Sequence, residues 1–443
     1  MTGATPPTTP PTDLPGTPAK AGSGALKFIF FTLFLEVLGF GLFIPVGPKL
    51  IEELLAKQDP ALGNPAEASR YFGLLVSSFA LMLFFFAPVM GALSDRVGRR
   101  PVLLISILGS GLDYFAMAAS PVLWVLFITR MLNGVSGSTI TVCNAYIADV
   151  TPPEKRAGAY GIVGAAFGLG FVIGPAVGGV LGEYDIRLPF YVGGSLAIIN
   201  WLYGCFVLPE SLKPEHRRKL SVSKMNPVAV FGALREHALA KAMSGSFFLI
   251  NLAMFGLQST WVLYTGKRYG WSDLQVGLSL TCVGIGAAIV QGGLARKIIP
   301  ALGKGPIGER RAVLIGGLIG VLAYAGYGAA PAGWMIYVII SLASLGGIAQ
   351  PAAMALITRT VRPDEQGAIQ GAISGINSIA MIFAPLIATY IFSKANPVNP
   401  EGSPWAAHPG LSFYYCAVVA GLGLAAAWYA MRHVEHDARV VPA

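Results

Sequence analysis

Three ionisable residues fall inside long apolar runs and are the first candidates for chemistry: Glu36 in FTLFLEVLGFGLF, Asp113 in GSGLDYFAM and Arg130 in RMLNGVSGS. A guanidinium at bilayer depth costs about 2.5 kcal/mol or more on insertion scales unless a counter-charge or a wet cavity receives it. Arg130 is therefore expected to pair with Glu36 or Asp113. A buried carboxylate beside a permanent cation can lose or regain a proton as its surroundings open to one side or the other, so the implied chemistry is reversible proton binding. A static buried ion pair is the plainer alternative. No nucleophile–base or metal-ligand constellation accompanies these residues, which argues against an enzyme. Cys143, Cys205, Cys282 and Cys416 lie in apolar stretches without paired spacing and read as small core residues. Gly-rich pairs such as Gly316-Gly317 lack the following Lys-Ser/Thr of a phosphate loop, so neither a nucleotide nor another cofactor is expected.

Two further groups have spacing that can do work. In GALSDRVGRRP, Gly91 permits close helix approach, Gly98 permits a tight turn, and Asp95, Arg96, Arg99 and Arg100 make a compact charge cluster between two apolar runs. In FGLGFVIGPAVGG, Gly170, Gly174 and Gly178 are four apart and leave one helix face as bare backbone. Pro175 removes a hydrogen bond there, and Gly179 completes the run. Gly284, Ala288 and Gly292, also four apart, are expected to supply the partner face. Among polar residues inside apolar runs, Asn133, Asn251 and Gln258 are candidates to line a substrate cavity.

The elements that must position these residues follow from composition. Of 443 residues, 54% are apolar and 12% charged, too few charges for a chain that faces water on all sides. Twelve stretches reach the roughly 20 apolar residues a bilayer-spanning helix needs, the first at 26–48 and the last at 410–431. Of the 31 Lys and Arg, 23 fall in the segments on the N-terminal side of these spans and 7 on the other side. This bias puts both termini in the cytoplasm. It also accounts for the net charge of +9 as a topology signal, so nucleic acid is not an expected partner. Residues 1–24, rich in Pro, Thr and Gly, are expected to be a disordered tail. A basic segment at 210–241 separates residues 25–209 from 242–431, and 432–443 forms a second cytoplasmic tail.

A shift of 210 residues superposes Pro121 on Pro331, Trp124 on Trp334, Gly137 on Gly347, Ala145 on Ala355, Pro153 on Pro363, Gly161 on Gly371 and Pro175 on Pro385 without a gap. Arg99-Arg100 pairs with Arg310-Arg311 at a shift of 211, and the second half offers no acid at the Asp95 position. The pattern implies an all-α membrane protein of twelve transmembrane helices in two pseudo-symmetric six-helix bundles, with a site near the midplane between them.

On these residues the chain resembles the major facilitator transporters, over nearly its whole length. GALSDRVGRRP is similar to that family's signature loop, and Arg130-Met-Leu-Asn133-Gly134 to its helix-four motif. The GPxxGG run resembles the antiporter and exporter branches. With AYIAD and CFVLPES, the likeness is closest to the tetracycline/proton antiporters, with Glu36 where an Asp is usual. The resemblance implies a gating latch at Gly91, Asp95, Arg96, Gly98, Arg99 and Arg100, joined by Asp149, and proton coupling through Glu36, Asp113 and Arg130. It further implies export of a small amphipathic compound, drug efflux driven by the proton gradient, a multi-pass location in a bacterial-type inner membrane, and a monomer. The chain departs from that branch at two positions: Ala287 and Gly320 stand where a helix-eight His and a helix-nine Asp are usual. An uptake symporter for a small polar solute is the alternative on the same scaffold, and a non-transporting receptor or assembly partner is a second one.

Overall fold

The structure, a computed structural model, describes residues 23–137, 139–152, 156–212, 214–217, 225–362, 365–396, 404–405 and 408–438. Most of the N-terminal tail, part of the basic 210–241 segment and the last five residues lie outside the described residues. Twelve helical passes make up the body: α1 (Ser23–Gln58), α2 (Pro65–Val97), α3 (Arg99–Ala119), α4 (Leu123–Ser136 and Thr139–Val150), α5 (Arg156–Tyr184) and α6 (Leu188–Val207) in the first half. The second half has α7 (Ala238–Tyr269), α8 (Asp273–Ile289, continuing through a π turn to Ala301), α9 (Pro306–Ala329), α10 (Gly333–Ser344 and Ala349–Thr358), α11 (Gln366–Ala395) and α12 (Leu411–Ala438). No strand occurs among the described residues. Eleven of these passes are long and apolar enough to cross a membrane, α10 among them when its two pieces are taken together with the turn that joins them. The twelfth, α4, is interrupted at Gly137, so neither of its pieces reaches the necessary length alone.

That interruption has a counterpart. The 3-10 turn Leu345–Ile348 divides α10 at the positions that a 210-residue shift equates with the break in α4. Trp124 and Trp334, in the first turns of the same two helices, are 70% and 68% exposed. Equal exposure of equivalent indoles fits an interfacial belt at one depth. The pairing of helices repeats in the same way. α1 packs on α5 and α6 as α7 packs on α11 and α12, and α3 on α6 as α9 on α12. The halves meet through α2 with α11 and α5 with α8, two contacts that exchange when each helix number is advanced by six. This is the signature of a twofold axis running between the bundles.

Helix ends follow local chemistry. Asn64 caps α2 by accepting from the Glu67 amide at 3.0 Å, and Pro65 occupies the first turn, where its missing amide costs nothing. α1 runs ten residues past its expected end at residue 48, through Pro45 and Pro48. The extension buries Leu50, Ile51, Leu54 and Leu55 against Phe72 and Leu75, and this burial favours helix where the membrane no longer requires it.

Candidate functional site

The charged cluster inside the first half resolves a choice that spacing left open. Arg130 Nη2 lies 2.8 Å from Asp113 Oδ2, with side chains 7% and 3% exposed. The Arg130 Nε donates to the Met117 sulfur at 3.0 Å. Its guanidinium also faces the rings of Phe43, Tyr114 and Phe79, with centroids at 5.0, 5.5 and 5.9 Å. Thr129 and the buried Asn133 approach the same carboxylate. α3 and α4, with Phe43 of α1 and Phe79 of α2, thus enclose a cation with a counter-ion and three aromatic faces, which together offset the cost of removing it from water. Tyr114 reaches this position by lying across Gly39 of α1, where a Cβ would collide with the phenol.

Glu36 is placed differently. It is half-buried and accepts from Ser110 Oγ at 3.5 Å. Arg130 and Asp113 act on it through space rather than by contact. Of the two candidate partners, Asp113 takes the arginine and Glu36 stays beside the pair.

At the end of the bundle where α1 begins and α12 finishes, here the terminus side, the GALSDRVGRRP residues form a network. Arg99 bridges Asp95 at 2.6 Å and Asp149 at 3.1 Å and donates to Ser94 Oγ. Asp149 accepts in addition from Ser211 at 3.0 Å. Gly98 has φ 114°, a conformation that favours glycine, and leaves α3 without a side-chain cap of its own. Glu210 fills that role: its two oxygens accept from the amides of Arg99 at 2.8 Å and Arg100 at 3.2 Å, and they occupy the space a Cβ at Gly98 would need. Arg100 donates to the Cys205 carbonyl, and Arg96 is exposed and stands apart from the network. Glu210 was visible only as part of CFVLPES; its function as a cap depends on α6 returning beside α3.

The second half carries the same brace with its charges exchanged. Arg359 makes hydrogen bonds of 2.8–3.0 Å to both Glu309 oxygens. These bonds, and then the charge behind them, raise the guanidinium still further above its ordinary value. Glu309 and Arg359 are displaced by 210 residues from Arg99 and Asp149. The expected register of 211 at Arg99 is therefore corrected: the equivalent of Arg99 is Glu309, an acid, and the tie between the third and fourth helices of each half survives in reversed polarity.

The glycine stripe also needs a correction. Gly170, Gly174 and Gly178 face α1, where a Cβ would meet the Phe34, Leu38 and Leu42 backbone. α8 packs on the adjacent face of α5 instead, through Pro175 and Gly179. A Cβ at Gly284 would stand 3.2 Å from the Val172 backbone, and Gly292 has no neighbour within 4 Å. The residue spacing gave the bare backbone but not the side of α5 to which each neighbour would come. Asn251 donates to the Phe247 carbonyl of its own helix at 2.8 Å, and Gln258 is half-buried in the same helix.

Between the halves the seam is uneven. Along the α8-facing stripe of α5, residues 172–179 are in close contact, and Thr281 donates to the Val172 carbonyl at 2.9 Å. Gly161, Gly164 and Gly168, on the same stripe nearer the terminus side, have nothing within 4 Å. α2 and α11 behave alike. Gly73 is pressed against Pro385 and Thr389, whereas Gly91 reaches only Thr141 of its own half, and Gly371 meets nothing. Beside this parted stretch, a cleft of about 450 Å³ lies between Pro88, Gly91, Ala92 and Asp95 of α2 and Asn226, Ala229 and Val230 of the connecting segment. The halves are shut at the far side and parted at the terminus side.

Two pseudo-symmetric bundles closed at one end and open at the other define a membrane transporter rather than an enzyme. The chain belongs to the Major Facilitator Superfamily, whose family model matches residues 29–326 and 302–442. It is 38% identical over 383 residues to the tetracycline resistance protein, class C, of Escherichia coli, covering 86% of this chain and 93% of that relative. It is 32% identical over 407 residues to the class B protein of Escherichia coli, covering 90% and 94%. Among solved structures, a bacterial homologue of the human lysosomal transporter Spinster in an inward-facing conformation superposes with a TM-score of 0.71 at 16% identity, covering 93% and 97%. The human organic anion transporter MFSD10 does so with 0.67 at 24% identity, covering 91% and 99%.

Proposed function

We propose that this protein is a proton-coupled exporter of a small amphipathic compound, working by alternating access in a bacterial-type inner membrane with both termini in the cytoplasm. The observation that carries this reading is the uneven seam: α5 with α8, and α2 with α11, are in contact toward the far end and separated toward the terminus side. Rocking the two bundles about the midplane would transfer that contact to the other end. With the terminus side cytoplasmic, as the Lys and Arg bias requires, the gap between the halves faces the cell interior and is ready to load an exported substrate. The relatives named for tetracycline resistance support drug efflux.

Glu36 is the coupled carboxylate in this reading, because it is half-buried without a cation in contact, whereas Asp113 is committed to Arg130. Substrate and proton exchange shifts the balance of states only by their differential affinity for each. Asp95, Arg99 and Asp149 form the cytoplasmic latch, with Gly91 the point of closest approach when that side shuts. The protein acts as a monomer and needs no nucleotide or other cofactor. The substrate is not assigned to tetracycline: Ala287 is apolar and the space around Gly320 is open, so the polar groups expected in that branch have no stand-in there.

The test is substrate-induced proton release from proteoliposomes, using tetracycline and a panel of amphipathic dyes and drugs first ranked by growth inhibition in an efflux-deficient host. Glu36→Gln is expected to abolish the proton signal while binding persists. Wild-type coupling in that variant removes Glu36 from the mechanism, and substrate accumulation inside cells reverses the direction to uptake.

A further inference from the structure

The closed end of the seam contains a charge pair. Lys49 Nζ, near the far end of α1, lies 2.7 Å from Oδ1 of Asp273, the first residue of α8. Among the described residues this is the ion pair that ties transmembrane helices of opposite halves. The braces Arg99–Asp149, Arg130–Asp113 and Arg359–Glu309 each lie within one half. Asp273 is 4% exposed, and the Lys49 side chain is 48% exposed. Gly179 and Gly182 of α5 make room for Asp273: a Cβ at Gly182 would stand 3.3 Å from its Oδ2, and one at Gly179 would collide with its carbonyl. Beside it, Glu183 of α5 accepts from the Leu274 amide at 3.2 Å and so takes a donor that the first turn of α8 leaves free. The start of α8 is thus docked onto α1 and α5 by Lys49 and Glu183, and every one of those partners belongs to the other half.

We propose that Lys49 and Asp273 are the far-side gate, positioning residues whose contact holds the halves shut at that end and must break before the central site opens there. In this conformation, with the terminus side parted, pairs within one bundle move with it and do not resist rocking. This pair spans the moving boundary, and separating α8 from α5 carries the Asp273 carboxylate from a closed pocket into water while Lys49 stays where it is, at the surface. The inference rests on the alternating-access reading above, and the test separates the two.

In the full chain with native cysteines replaced by alanine, two reporters are labelled with a membrane-impermeant maleimide without substrate or gradient. Ala176→Cys lies in the closed seam opposite Gly277, and Gly164→Cys lies on the parted stretch of the same stripe. Lys49→Gln should raise labelling at Ala176→Cys about fivefold, the worth of a half-exposed ion pair, and lower it at Gly164→Cys. Adding Asp273→Asn to Lys49→Gln should bring labelling back toward the starting value, because it neutralises the carboxylate that the first change strands. Unchanged labelling in Lys49→Gln overturns the gate, as does a rise at both reporters, which a merely loosened protein would give, or a double variant more open than the single one. If the reporters trade off in an Asp95→Asn background while Lys49→Gln does nothing, the gate fails alone. If they never trade off in any background, alternating access fails with it.

Discussion

Replacing Asp113 by Asn while Arg130 remains strands a guanidinium that is 7% exposed between α3 and α4. Breaking a buried ion pair by removing one partner costs about 3–5 kcal/mol. The rings of Phe43, Tyr114 and Phe79 and the Met117 sulfur do not make up that loss, since they are already in place in the intact protein. The converse change, Arg130→Met, should cost less, about 1–3 kcal/mol: a stranded carboxyl can take up a proton and become neutral, whereas a guanidinium cannot shed its charge. The double variant removes both charges and should lie within about 1 kcal/mol of wild type. Loss of helical signal on denaturation in mixed micelles measures the three stabilities. Substrate-induced proton release in proteoliposomes then asks whether the folded double variant still couples, as it should if Glu36 carries the proton. The reasoning is refuted if Asp113→Asn is as stable as wild type, or if the double variant is no more stable than Asp113→Asn alone. Loss of coupling in a stable double variant would return Asp113 to the proton path.

Two other outcomes follow from the braces at the terminus side. Glu210→Gln should weaken the cap of α3 by about 1–3 kcal/mol, since two backbone amides lose a charged acceptor; hydrogen exchange at Arg99 and Arg100 should quicken while amides in the middle of α3 stay protected, and unchanged exchange rules out the cap. Arg359→Glu should lower transport by setting two acids side by side, and Glu309→Arg added to it should restore transport with the polarity of the Arg99–Asp149 brace; a double variant as impaired as the single one would show that the pair does more than tie α9 to α10.

Much of this architecture was present in the chain itself. Apolar runs of bilayer length give the number of passes, because lipid accepts only segments whose backbone bonds are satisfied internally. The 210-residue register gives the two halves, and it also holds the reversed brace, since Glu309 and Arg359 stand 210 residues after Arg99 and Asp149, while the likeness of Arg99-Arg100 to Arg310-Arg311 at 211 masks it. The residue types for proton and latch chemistry, Glu36, Asp113, Arg130, Asp95 and Arg99, stand out because charge inside or bordering an apolar run is costly wherever it lies. What the chain could not decide was partnership. Arg130 had two carboxylates available, and Gly170, Gly174 and Gly178 had two possible neighbours. Glu210, Lys49 and Asp273 were only charges at helix ends. Each choice depends on the rotation and depth of one helix against another, and these are set by side chains far apart in sequence that meet only when the bundles pack. Hydropathy and periodicity describe one helix at a time, while the cap, the brace and the proposed gate are properties of pairs.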